Sequence, residues 1–513
     1  MTRNRSAKLG KNRLHMPVLL VLLVLILAAC NFPIRDLSFI IHSYPTLDPA
    51  IFEGHRTPSA STPGAPGQPT PPAAAALPVI DEQRYQIYTA QSGDTLPIVA
   101  IHFSVAPEQI TSPAEIPAGG ILPPGQYLVI PKTPANQSLA KLIMPDSAVI
   151  DSPCADGFDI SAYVQEAGGY LSRFSQTVAG GRVSGAEVVR LVAENQSINP
   201  RLLLAIIEYR AGIVLSSQEP ADIDHPLGLD DPIYKGLYQE LSLVARMINT
   251  GYYGWRYGAL TELTYTDQVS TRIAPNLNPG SVGIQNLFAN LYASGEWEQR
   301  LAGEGGFLQL YLHMFGDFMP CAMQIEPLLT DRVVQPQLEL PFAAGEVWAF
   351  TAGPHYSWIE GTPHGALDFA PNIRGAGCNI SPLYARAPAA GVVTRADNGV
   401  VMLTLVDNNQ QPTGWEILFM HIAAQDRAPL GARLNVNDPV GHPSCEGGAA
   451  TGTHVHIARK YRGEWISTSG PLPFVMSGWT ALPGTRIYNG TLVKENLVVT
   501  ARQGGAAESL ISK

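Results

Sequence analysis

The stretch THVHIARKY, residues 453–461, sets a histidine on either side of one valine. Read as a β-strand, it points His454 and His456 to the same face, because side chains alternate with a period of two. Two imidazoles side by side are either a crowded pair on a solvated edge or ligands for something that wants nitrogen. The neighbourhood favours ligands. Six of the twelve histidines lie between 355 and 456, the densest signal in the chain.

Outward from this strand the pattern stays β. AGVVTRAD (390–397), GVVMLTLVD (399–407) and WEILFMHI (415–422) are short alternating runs punctuated by Gly, Asn and Pro. They predict an antiparallel β-sheet domain over residues 335–480. Its other histidine-rich stretch is GPHYSWIEGTPHGALDFAP, residues 353–371. Asp368 sits between Leu367 and Phe369, so an alternating strand puts its carboxylate opposite two apolar neighbours. Amide hydrolysis at neutral pH needs a nucleophile stronger than water and a counter-charge for the oxyanion. Zinc supplies both when three protein ligands leave a fourth position open. Two histidines and one aspartate would form such a set.

With both stretches in hand, residues 340–475 resemble the lysostaphin/β-lytic metalloendopeptidase family, zinc peptidases that cut peptide bonds in bacterial cell walls. The resemblance implies that Asp368 and His456 bind Zn2+ and that His454 assists catalysis. His421, in LFMHIAA, matches a family histidine that helps stabilise the oxyanion. The first ligand has two candidates. The lysostaphin spacing His-x-x-x-Asp selects His364. The β-lytic spacing places the histidine thirteen residues before the aspartate and selects His355. The run SWIEGTPHGALDF follows the second layout, so His355 is the expected metal ligand and His364 a rim residue. His442, in GHPSCEGG, is read as structural.

The rest of the 513-residue chain reads as several domains. Residues 1–30 form a targeting segment: five basic residues from Arg3 to Arg13, then a 14-residue apolar run, Met16–Ala29. That run is short for a membrane span. It ends in LAAC, which resembles a bacterial lipoprotein signal and implies a lipidated Cys30 as membrane anchor on the outer side of the cytoplasmic membrane. Residues 31–84 are a Pro/Ala-rich tether expected to be disordered. Export makes disulfides admissible. Cys154 and Cys321 bracket the middle of the chain, and Cys378 and Cys445 lie in the C-terminal part, so one bridge per region is expected. The net charge of −10 argues against nucleic acid as a partner.

Residues 85–132 read as strand, turn, helix, helix, strand. Through YTAQSGDTL and PGQYLVIP they resemble a LysM module, an α+β fold that binds N-acetylglucosamine-containing glycan. Pro97 and the proline-rich SPAEIPAGGILPPG depart from that pattern. Residues 150–330 are mainly helical. NPRLLLAIIEYRAG (199–212) resembles the active-site helix of lysozyme-like lytic transglycosylases, but Arg210 and Ala211 replace its Glu-Ser. A guanidinium cannot release its proton near neutral pH, so this domain is expected to be a degenerate scaffold. Glu208 and Glu262 are the candidates should it retain glycosidase activity. The aromatics of GYYGWRYGALTEL (251–263) suit either sugar stacking or a core. Residues 481–513 remain as a C-terminal extension. The expected whole is a multidomain, envelope-located zinc endopeptidase acting on peptidoglycan stems. The competing reading is a peptidoglycan-binding protein or amidase activator with an idle peptidase fold.

Overall fold

The computed structural model describes residues 77–513 except 118, 230 and 373–376. The targeting segment, Cys30 and most of the tether lie outside the described residues. Among the described residues, no helix is long and apolar enough to cross a membrane.

The N-terminal module pairs strand Tyr85–Thr89 with Tyr127–Pro131, antiparallel. Between them run a helix, Leu96–Phe103, and a short 3-10 turn, Pro107–Gln109. The second expected helix is only this turn, because prolines through the following stretch remove the N–H groups a helix would need. The module does not stand apart. His102 stacks on Trp255 with ring centroids 3.5 Å apart, and Arg256 of the middle region donates to the Ser92 carbonyl.

The middle region is helical, as its periodicity predicts. Helices Gly185–Gln196, Pro200–Ala211, Leu237–Arg256 and Pro279–Leu291 are its main elements. Ser184, Asn199 and Asn278 cap three of them by accepting backbone N–H bonds, the role these side chains favour. Tyr252, Tyr253 and Trp255 are buried in its core, which decides their reading in favour of packing. Arg210 spends its guanidinium on the carbonyls of Leu227 and Gly228 and the Tyr292 hydroxyl. Glu208 accepts the N–H groups of Val214 and Leu215, so its carboxylate closes the turn after its own helix. The bridges Cys154–Cys321 and Cys378–Cys445 both form, as expected.

The C-terminal region is built on a nine-stranded antiparallel sheet. From one edge its strands run Arg433–Leu434, Gly391–Asp397, Val400–Val406, Pro412–Met420, Val455–Tyr461, His364–Pro371, Val347–Tyr356 and Leu510–Ser512. Glu464–Trp465 pairs with Val455–Tyr461 off that path. Leu367, Phe369, Val455, Ile457, Ile417 and Phe419 face one core, shared with Phe342, Trp348, Phe474 and Trp479. On the opposite face Ala366, Val400, Met402, Leu418, Met420, Ala458 and Trp465 pack into the helical core of the middle region. The expected boundary after residue 480 cuts through the strand Trp479–Pro483. Beyond it, Gly490–Lys494 and Leu497–Thr500 continue a four-stranded sheet, and Leu510–Ser512 pairs with the strand that carries His355. The segment 481–513 is therefore woven into the sheets.

Because the sheet and the helices share one buried cluster, damage on the sheet should loosen the helices. Leu418→Ala is expected to cost about 2–5 kcal/mol and to expose the middle-region helices to protease at lower denaturant than in the parent. Denaturant titration followed by limited proteolysis reads both effects.

Candidate metal centre

Register builds the site. His456 pairs with Asp368 on one side and with Met420 on the other. Their neighbours Val455, Ile457, Leu367 and Phe369 face the apolar core, so alternation turns His456 and Asp368 to the other face. His355 comes from the next strand. Ala352 pairs with Asp368 and His355 with Ala366. One extra residue therefore lies on the His355 strand, a bulge that re-aims its side chain. Gly353 sits in the bulge because a Cβ there would meet the Asn489 backbone at 2.6 Å.

The three side chains converge. His355 Nε2 lies 3.0 Å from His456 Nδ1. Asp368 Oδ1 lies 3.2 Å from the first nitrogen and 3.3 Å from the second. A tetrahedral ion with bonds of about 2.0–2.1 Å needs ligand atoms roughly 3.3 Å apart, so the triangle has the right size. The outer nitrogens fix the tautomers. His355 Nδ1 donates to Gly353 O at 2.9 Å, and His456 Nε2 to Ser357 O at 3.0 Å. Both inner nitrogens then present lone pairs to each other and to a carboxylate oxygen that is buried and accepts no hydrogen bond. Three acceptors facing one point call for a cation, and the donor set suits zinc.

Protons compete for the same point. Burial opposes the charge on Asp368, yet His355 and His456 beside it hold the carboxyl well below the usual range. Burial likewise disfavours the imidazolium of His355, but Asp368 outweighs it and raises this pKa. At His456 burial prevails and lowers it.

Two further histidines flank the triad. His454 Nε2 is 3.6 Å from Asp368 Oδ2, and its Nδ1 donates to Gly452 O at 2.7 Å. The ring of His421 lies 4.4 Å from that of His454, and its Nδ1 donates to Glu446 O at 2.9 Å. Burial, with His454 and His456 adding, pushes His421 down to about 4, so it is neutral at neutral pH. His364 is not brought in. It is exposed, its ring lies against Tyr356, and its carbonyl accepts Thr468 N–H. His442 packs against the tilted ring of Tyr384 and bonds to the Leu383 carbonyl, a packing role. Tyr488 escaped the sequence reading: its ring is 4.9 Å from His355. It comes from the segment read as an extension, and nothing in RIYNG marks it. The carbonyl anchors at 353, 357, 446 and 452 are equally invisible in sequence, since any residue supplies a carbonyl.

The family "LasA, N-terminal domain" matches residues 142–326, the helical region packed on the sheet. Protease LasA of Pseudomonas aeruginosa, from strains UCBPP-PA14 and PAO1, is 24% identical over 297 residues, covering 53% of this chain. The chain is homologous to protease LasA. The match spans 65% of the length of the LasA sequences, just under two thirds. Among solved structures, the M23 metalloprotease pseudoalterin, described as from the deep sea, is similar at 20% identity. That similarity covers 33% of this chain and 96% of pseudoalterin, with a TM-score of 0.27. The catalytic domain of lysostaphin from Staphylococcus simulans is similar at 18% identity, over 25% of this chain and 95% of that domain, with a TM-score of 0.18.

The metal fit predicts a binding result. Full-length protein should retain about one zinc per chain after gel filtration, and His456→Ala or Asp368→Asn should retain far less. Because a proton on His355 competes with the metal, occupancy should fall from mildly alkaline to mildly acidic pH. Elemental analysis across a pH series checks this.

Proposed function

We propose that this chain is an exported zinc endopeptidase that hydrolyses peptide bonds of peptidoglycan. The observation that carries the reading is the convergence of His355 Nε2, Asp368 Oδ1 and His456 Nδ1 within 3.3 Å of one another, beside two non-ligand histidines. Homology to protease LasA, itself named a protease, supports the reaction type.

In this scheme His355, Asp368 and His456 hold the zinc. When bound, zinc supplies Lewis acidity and a water acidic enough to attack an amide. The remaining work belongs to the chain. His454 has its Nδ1–H committed to Gly452 O, so its Nε2 carries the free lone pair. It is the base that accepts the proton of the attacking water. His421 has the same tautomer through Glu446 O. It donates to a developing oxyanion only as an imidazolium, which burial opposes. With the two rings 4.4 Å apart, the pair holds one proton between them and delivers it to the oxyanion or the leaving amine.

The N-terminal module, with its LysM-like opening and closing strands, would hold the enzyme on N-acetylglucosamine-containing glycan and raise the local concentration of substrate. A lipidated Cys30 would tether the chain to the membrane.

The test uses the full-length chain on purified cell-wall sacculi, reading new free amines. The parent should release them and lose the activity to a chelator. His456→Ala should abolish release, and His454→Ala should lower it by about 10²–10⁴. Binding to sacculi without amine release would instead establish the non-catalytic reading.

A further inference from the structure

The four histidines of the site are held by two separate sets of carbonyls. The ligands His355 and His456 lean on Gly353 O and Ser357 O, both within or directly after one strand. The non-ligand pair leans on Glu446 O and Gly452 O, both in the single loop 444–453. Carbonyls only accept, so this loop makes both histidines Nδ1–H tautomers and turns both Nε2 atoms into acceptors.

The loop is fastened at several points. Ser444 N–H and its hydroxyl donate to His421 O at 2.6 and 3.1 Å. His421 itself has φ +64°, a conformation a side-chain-bearing residue keeps only where its surroundings over-determine it. The Glu446 carboxylate accepts from Ala424 N–H at 2.9 Å and Arg427 Nη2 at 3.0 Å. Gly447 presses on the turn at Asn398–Gly399, where a Cβ would meet the Asn398 carbonyl at 2.5 Å. Thr453 Oγ1 donates to Gly377 O at 3.1 Å and accepts Asn379 N–H at 3.1 Å. Between Gly377 and Asn379 sits Cys378, and its bridge to Cys445 joins this segment covalently to the residue beside Glu446. None of these contacts involves the ligand anchors.

We propose that the loop 444–453, stapled by Cys378–Cys445, is the positioning element that presets both non-ligand histidines as proton acceptors, so that turnover depends on this disulfide while metal binding does not. The proposal rests on the endopeptidase reading for its kinetic part only. In this scheme Ser444, Glu446 and the two cysteines act through His421 and His454.

The experiment compares the full-length parent with a Cys378→Ala/Cys445→Ala double variant in three readouts. They are zinc per chain, kcat and KM for amine release from sacculi, and the imidazole ¹⁵N shifts of His421 and His454. The expected result is unchanged zinc content, KM within about twofold, kcat lower by roughly 10–100-fold, and shifts moving from a pure Nδ1–H tautomer toward a mixture. Unchanged kcat and shifts would overturn the proposal, and so would parallel loss of zinc, which would make the loop part of the metal site. A parent that binds zinc but releases no amines would sink the endopeptidase reading, and the tautomer shifts would still decide this one. Should the double variant fail to fold, Ser444→Ala keeps the bridge while removing the hydroxyl that holds His421 O. It is expected to lower kcat with zinc unchanged, and parent-like kcat and shifts would count against the proposal.

Discussion

One strand register underlies the site: His456 opposite Asp368. A slip of the His456 strand by one residue would send His456 into the apolar layer and bring Val455 or Ile457 onto the polar face. The pairing is held by hydrophobic burial, since Leu367, Phe369, Val455 and Ile457 are all fully buried in the opposite core. A fully buried aliphatic or aromatic side chain contributes about 1.5–3 kcal/mol. The histidine-bearing face is thus specified from behind, by residues of the opposite apolar layer.

The same face continues under the helices. Ala458, two positions beyond His456, and Ala366, two before Asp368, already belong to the cluster shared with the middle region. That junction also carries charge. Arg256, on the long helix, bonds Glu464 on the sheet at 2.7 Å and Asp146 at 3.0 Å, and it reaches the Ser92 carbonyl of the N-terminal module. One buried guanidinium therefore touches three regions of the chain. Desolvating it is costly, and its several partners offset that cost only in this one arrangement. Tyr253 and Tyr257 add bonds to Trp465 N–H and Ser467 N–H. Apolar burial supplies the attraction at this junction, and the ionic contacts fix how the parts dock.

Much of this was legible in the sequence where a periodic pattern or a side chain carried the information. The His-x-His run and the thirteen-residue spacing from His355 to Asp368, matched to the β-lytic family layout, pointed to the three residues that converge, and the cysteine positions gave both bridges. The helical middle and the sheet strands followed from periods near 3.6 and of 2. What was hidden had no side-chain signature. The anchoring carbonyls come from the backbone, and the bulge at Gly353 depends on contact with Asn489, far along the chain. The sugar-stacking option for Tyr252 and Trp255 failed for a related reason. Those rings are buried by helices distant in sequence, which local composition does not reveal.

The integration of residues 481–513 follows from an edge problem. Without a further partner, the strand Val347–Tyr356 would end the sheet with open N–H and C=O groups, and it carries His355 on a bulge, where ladder bonds are already interrupted. Leu510–Ser512 closes its first part, against Val347, Trp348 and Ala349. The turn at 488–490 closes the second: Gly353 N–H donates to Tyr488 O at 2.7 Å, and Tyr488 N–H to Pro354 O at 3.2 Å. The bulge is therefore pinned from both sides, by Asp368's strand and by the C-terminal segment. A candidate ligand carried on a distorted strand needs such bracing, because a metal site must be held within about 0.5 Å of its working geometry. The C-terminal segment contributes no ligand. Its work is to make the position of His355 a property of the backbone on both flanks.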